Sequence, residues 1–225
     1  MIEYIPLYIN IVFILTTFLT LYFFFKAAGN SVRILWIILI WLFIQMFISF
    51  TGFYKVTSTM PPRFILAVLP PFITIGLLFF TASGKKFLDS LDLKVIIYLQ
   101  VVRVPVEIAL YLLSIYKLVP DLMTFEGMNY DIITGITAPF IAYFGITRKK
   151  LSRNVVLAWN VICFALLLNI VTVAILSAPF TFQKLSFDQP NLAVFSFPYV
   201  WLPCFIVPVA FLSHLLIFRR IKEIK

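Results

Sequence analysis

Seven continuous apolar runs, following one another along almost the whole chain, constrain its fold more than any other feature. They lie at about 5–25, 33–54, 63–82, 93–116, 130–147, 155–177 and 194–218. One bilayer-spanning helix takes about 20 such residues. Barrel strands alternate polar and apolar positions and are about ten residues long. Continuous runs of this length therefore predict helices, which meet their own backbone hydrogen bonds in lipid. Composition points the same way: 63% hydrophobic and 12% charged residues, against about 45–50% and 25% in soluble domains. The expected fold is all-α: a polytopic membrane protein with one transmembrane domain over 1–225, a bundle of seven transmembrane helices. A soluble domain, alone or on a single anchor, is excluded.

Orientation follows from the basic residues. With the N-terminus outside, the cytoplasmic segments carry Lys26, Arg33, Lys85, Lys86, Lys94, Arg148, Lys149, Lys150, Arg153, Arg219, Arg220, Lys222 and Lys225. The outer segments carry only Lys55, Arg63, Lys117 and Lys184. That sidedness is the positive-inside pattern, and it supports an odd number of spans with a cytoplasmic C-terminus. The formal net charge of +9 is explained by it, so no nucleic-acid partner is expected. Met1-Ile2-Glu3-Tyr4 lacks the basic start of a cleaved signal, so the first run is expected to stay as a helix. Cys163 and Cys204 both lie inside apolar runs and form neither a disulfide framework nor a metal cluster.

Two outer segments are too hydrophobic to be plain linkers. One runs from Lys117 through Asp121, Phe125, Glu126 and Asn129 to Tyr130 and Asp131. The other holds Phe180, Phe182, Lys184, Phe187, Asp188, Gln189 and Asn191. Both are expected to fold back on the outer mouth of the bundle. In two places a Pro (Pro61, Pro190) follows six residues after a Lys (Lys55, Lys184). This faint echo reads better as chance than as an internal repeat.

The fourth run carries the most informative pattern. Gln100, Arg103, Glu107, Tyr111 and Ser114 recur every three or four residues, so they share one helical stripe. Arg103 is the one basic residue inside a run, near the bilayer middle. A charge there costs at least about 2.5–3.5 kcal/mol on insertion scales, so the stripe is expected to face the bundle interior. Two readings stay open. Arg103 and Glu107, one turn apart, could pair with each other; or Arg103 could hold an anion bidentately with Glu107 as a proton-linked group. Prolines at 70, 71, 105, 139, 203 and 208 interrupt the helices, as they do around many membrane sites and in many ordinary spans. Trp159, Asn160, Asn169 and Thr172, with Gln45 and Ser49, read as interhelical hydrogen-bonding groups. His214, the only histidine, reads as a hydrogen-bonded structural residue. Asp131 could cap the fifth helix or join Glu126 and Asp121 in an acidic vestibule. Tyr4, Tyr54, Tyr130 and Trp201 are placed for an interfacial belt.

No zinc-protease, nucleophile-elbow or phosphate-loop signature is present, and the sequence leans away from an enzyme. A Schiff-base lysine is missing from the last run. No cofactor or metal is expected. Arg103-Val104-Pro105-Val106-Glu107, then Met123-Thr124-Phe125-Glu126-Gly127 with Asn129-Tyr130-Asp131-Ile132, and Phe187-Asp188-Gln189-Pro190-Asn191, together resemble a group of uncharacterised bacterial seven-span membrane proteins. The resemblance implies a bacterial inner membrane and no activity.

The functional expectation is binding, extending to transport, of a small polar or anionic molecule at an outward-facing intramembrane site. Arg103, Glu107, Gln100 and Tyr111 would form that site, and Glu126, Asp131, Asp188 and Gln189 its vestibule. The alternatives are a membrane-embedded enzyme acting on a lipid or lipid-linked substrate, with Glu107 as acid or base, and a non-catalytic sensor or complex subunit. The lipid bilayer is the expected partner, and a homo-oligomer is compatible with the sequence.

Overall fold

A computed structural model describes residues 5–224; Tyr4 and Lys225 lie outside the described residues. The described chain is helical and holds no strand. Its helices are α1 (Leu7–Ala27), α2 (Val32–Phe50), α3 (Ile65–Phe80), α4 (Ala82–Ser90), α5 (Leu93–Ile115), α6 (Ile132–Thr147), α7 (Arg153–Leu176) and α8 (Leu202–Glu223). Five of them, α1, α2, α5, α7 and α8, are long and apolar enough to cross a membrane. α3 and α4 reach that length only together and are bent by 95°. α6 is shorter.

The exterior is apolar. Leu15, Trp36, Ile37, Phe43, Leu69 and Leu77 are all strongly exposed, a surface suited to lipid and not to water. The interior is organised around α5. α1 turns Ile9, Phe13, Leu21 and Phe24 inward and packs along α5. Its buried Thr16, Thr17 and Thr20 hydroxyls donate to carbonyls one turn back in α1. Small, self-satisfied side chains let the two helices approach closely.

Proline sets the local irregularities. Pro105 removes an N–H that the helix would use, and α5 tightens into a three-residue turn at Gln100–Val102 just ahead of it. Pro139 precedes a wider π turn at Ile141–Thr147, and Pro203 sits in another at Leu202–Ile206. Pro208 withholds the donor that an α-helix would bring to the Cys204 carbonyl. The Trp41 indole of α2 donates to that carbonyl instead, at 3.0 Å. Trp201 donates back to Leu42 O, also at 3.0 Å. These two indoles tie α2, whose only buried residues are Leu42, Gln45 and Ser49, onto α8.

The bend between α3 and α4 is made by Thr81, which caps α4 through Gly84 N. Gly84 lies so near the Leu78 backbone that a Cβ would come within 2.5 Å of it. At this end of the molecule Asp92 N bonds Ala27 O, Arg220 reaches Leu91 O, and Arg219 pairs with Asp89 at 2.8 Å. The Arg219 guanidinium holds the exposed Asp89 carboxyl below its usual range. At the opposite end Leu192 N bonds Leu118 O. There Tyr54, Phe64, Phe180 and Phe195 pack edge to face or tilted.

Two expectations are corrected. The last helix starts at Leu202, not near 194. Residues 194–201 form a buried, irregular segment, because Pro198 disfavours helix in the residue before it. Tyr54 and Trp201 are buried and hydrogen-bonded to Gln45 Oε1 and Leu42 O, so neither stands in an interfacial belt; Tyr130 is exposed. The echo around Pro61 and Pro190 does not carry into structure, since α3 begins four positions after the first and α8 twelve after the second.

Candidate functional site

The stripe on α5 does face inward: Gln100, Arg103, Glu107 and Ser114 are buried, and Tyr111 is half-buried. Gly135 explains which helix comes to meet it. A Cβ there would lie 2.7 Å from Val104 Cγ2 and 2.9 Å from Val104 N. Glycine thus lets α6 press against α5 at Arg103. That contact delivers the buried Asp131 to the guanidinium, with the hydroxyl of buried Thr134 donating to the same carboxylate.

Arg103 is answered on all sides. Its Nε donates to Gln100 Oε1 at 3.2 Å. One terminal nitrogen pairs with Asp131 Oδ1. The other donates to His214 Nε2 at 2.9 Å. Arginine is never an acceptor, so Nε2 must carry the lone pair. His214 Nδ1 then bears the proton and donates to Asn160 Oδ1 at 2.7 Å. Asn160 Nδ2 donates to the His214 carbonyl at 3.2 Å. Asn129 extends the network outward. Its amide donates to Glu107 Oε2 at 2.6 Å and Met123 O at 3.0 Å, and its oxygen accepts from Asp131 N at 3.1 Å. One buried network therefore joins α5, α6, α7, α8 and the segment before α6.

The geometry separates the residues that the sequence grouped. Arg103 pairs with Asp131 and not with Glu107, although Glu107 is one turn away. Asp131 belongs to the interior and not to a vestibule. Tyr111 packs on Phe125, ring centroids 4.9 Å apart. Glu126 and Asp188 are exposed. Gln189 is a clip: its amide donates to Val119 O at 2.6 Å, Ser114 O at 3.0 Å and Asp121 Oδ1 at 3.3 Å, and its oxygen accepts from Lys117 Nζ at 2.9 Å. His214, Asn160 and Asn129 complete the network and were not placed in the site from sequence. Their only signal was a polar residue inside, or at the edge of, an apolar run.

Two cavities among the described residues have linings that include no network residue. One, of about 440 Å³, is apolar and lies between α2, α3 and α8. The other, of about 330 Å³, lies at the basic end among Asp92, Lys94, Lys149, Arg220 and Glu223. Chemically, the Arg103 centre can fix helix positions; its anion is already supplied from within. A family model described as a domain of unknown function (DUF8737) matches residues 61–222, the stretch that holds the whole network. No curated protein and no solved structure matches the chain.

Proposed function

The chain belongs to the DUF8737 family, and we propose that it is a seven-span, non-catalytic protein of the cell membrane. Its role is that of a sensor or a subunit of a larger complex, with the Arg103 network as the joint that fixes its helices. The observation that carries this reading is that each guanidinium nitrogen of Arg103 already has a buried partner within the protein, in Gln100, Asp131 and His214. A soluble anion would have to enter a buried setting in which Arg103, 3% exposed, is already paired with a carboxylate. A buried, paired network of this kind holds a core in one arrangement.

The seven-span topology takes α3 and α6 as short crossings. Each has 16 residues, about 24 Å at 1.5 Å per residue, against about 30 Å of hydrocarbon. The bend into α4 and the wide turn of α6 would place polar ends at the bilayer surface. With the N-terminus outside, the end that joins Ala27, Asp92 and Arg220 is cytoplasmic, in keeping with the basic residues there. The resemblance noted above points to a bacterial inner membrane.

The test is thermal unfolding of the purified chain, and of Arg103→Lys, against a panel of phosphate, acetate, nitrate and amino-acid salts at constant ionic strength. No saturable shift is expected. A saturable shift in the wild type that Arg103→Lys loses would overturn the proposal in favour of anion binding. Turnover of lipid extract lost in Glu107→Gln would overturn it in favour of an enzyme.

A further inference from the structure

The apolar cavity has a direction. Along α3 its walls run from Pro70 and Pro71 through Thr74 and Ile75 to Leu78, and along α8 from Cys204 to Leu212. Eight residues at 1.5 Å each make about 12 Å, close to half of a hydrocarbon core of about 30 Å. It opens sideways between α2 and α3, where Ile37 and Thr74 are exposed. Its deep end is closed by Trp41 and the Cys204 carbonyl that this indole satisfies. Its other end, at the basic end of the molecule, is bordered by Phe24, Ile34 and Phe87.

Each of those three end residues stands beside a basic one. Lys26 follows Phe24 by two positions, Arg33 precedes Ile34, and Lys85 and Lys86 precede Phe87. All four cations are exposed, and none takes part in an ion pair among the described residues. The nearest carboxylates along the chain are engaged: Asp89 pairs with Arg219, and Asp92 caps α5 through Val95 N. An apolar slot one leaflet deep, ending at unpaired cations, has the complementarity of an anionic amphiphile.

We propose that this groove holds one acyl chain of an anionic phospholipid from the leaflet at the basic end. The headgroup phosphate lies among Lys26, Arg33, Lys85 and Lys86. The proposal rests on the reading of the chain as membrane-spanning. It adds to that reading a specific lipid site, distinct from the Arg103 network. The α3–α4 bend gains a purpose: it brings the segment of Lys85, Lys86 and Phe87 to the end of the groove while Leu78 stays on its wall. Selection for negative charge is set by the rim, at about fivefold per basic residue near an anionic surface, and retention is set by the slot.

The experiment compares nanodiscs of phosphatidylcholine alone with nanodiscs containing equal phosphatidylglycerol. Native mass spectrometry of the released full chain counts retained lipids. The wild type is expected to keep phosphatidylglycerol over phosphatidylcholine. Ile37→Trp, which fills the slot from an exposed position, is expected to lose the retained lipid while remaining folded by thermal unfolding. Lys85→Gln with Lys86→Gln is expected to keep a lipid but lower the preference by roughly 25-fold. Equal retention of the two lipids by the wild type, or unchanged retention by Ile37→Trp, overturns the proposal. Recovery of the chain in the aqueous fraction without detergent would instead overturn the membrane-spanning reading.

Discussion

Cys204 and His214 lie ten residues apart on α8, yet they border two opposite kinds of interior. His214 faces the Arg103 network, where every guanidinium nitrogen has a buried partner. Cys204 faces the apolar groove, where about 440 Å³ stays open. In water the expectation would be reversed, because an apolar gap collapses and a polar one fills with solvent. In a bilayer there is no hydrophobic drive between helices, so an apolar gap can be occupied by lipid tails at little cost. An unmet polar group there costs several kcal/mol. The closed side of the molecule is accordingly the polar one. This contrast yields predictions that differ in size on the two sides.

The largest effects belong to the charge pair. Arg103→Met leaves Asp131 buried without its partner, and Asp131→Asn does the same to Arg103. Each is expected to destabilise by about 3–5 kcal/mol, whereas removing both charges together is far less damaging than the sum. A thermal or denaturant double-mutant cycle in one detergent measures the difference. If the two losses simply add, Arg103 and Asp131 do not act as a pair and the closed polar side needs another explanation.

Next comes the contact that brings the pair together. Gly135→Ala forces a Cβ against Val104 Cγ2 and Val104 N. An overpacked contact of this kind costs about 1–3 kcal/mol. Val104→Ala in the same chain removes the Cγ2 clash but leaves the backbone nitrogen in place, so only part of the loss should return. Full recovery would mean that side-chain crowding alone is at work, and that α6 is not seated on the α5 backbone.

The same contrast explains what could be read in the sequence. The inward stripe of α5 was legible because Gln100, Arg103 and Glu107 repeat at helical spacing and a charge cannot be left in lipid. The partner of Arg103 was not. Spacing offers Glu107, one turn away, while the approach of Asp131 depends on Gly135 meeting Val104 across two helices, and no periodicity records that. His214 and Asn160 each stood alone in an apolar run, so nothing local linked them to Arg103 or to each other. Hydropathy also fails to distinguish a buried helix from a buried irregular segment. Residues 194–201 are as apolar as the helix they precede, and only Pro198 marks the break. α4 was hidden for the opposite reason, since its lysines made it look like a connector. The groove left no trace in the pattern at all, because its walls and the lipid-facing surface are built from the same residues.

The smallest effect expected concerns the deep end of the groove. Trp41→Phe keeps an aromatic wall but removes the donor to the Cys204 carbonyl, which Pro208 cannot serve. Leaving one buried carbonyl unmet costs about 1–3 kcal/mol, and the lower figure is expected where the lining is partly open. The cause can be isolated. Pro208→Ala returns an N–H to the position from which a regular helix would reach Cys204, so in that background Trp41→Phe should cost almost nothing. The comparison is a four-protein cycle read by thermal unfolding, in which shared dependence on one carbonyl appears as a coupling of similar size to the single loss. An equal cost in both backgrounds would show that Trp41 acts by packing alone. The wall of the groove would then be held by shape, with no role for the hydrogen bond that ties α2 to α8.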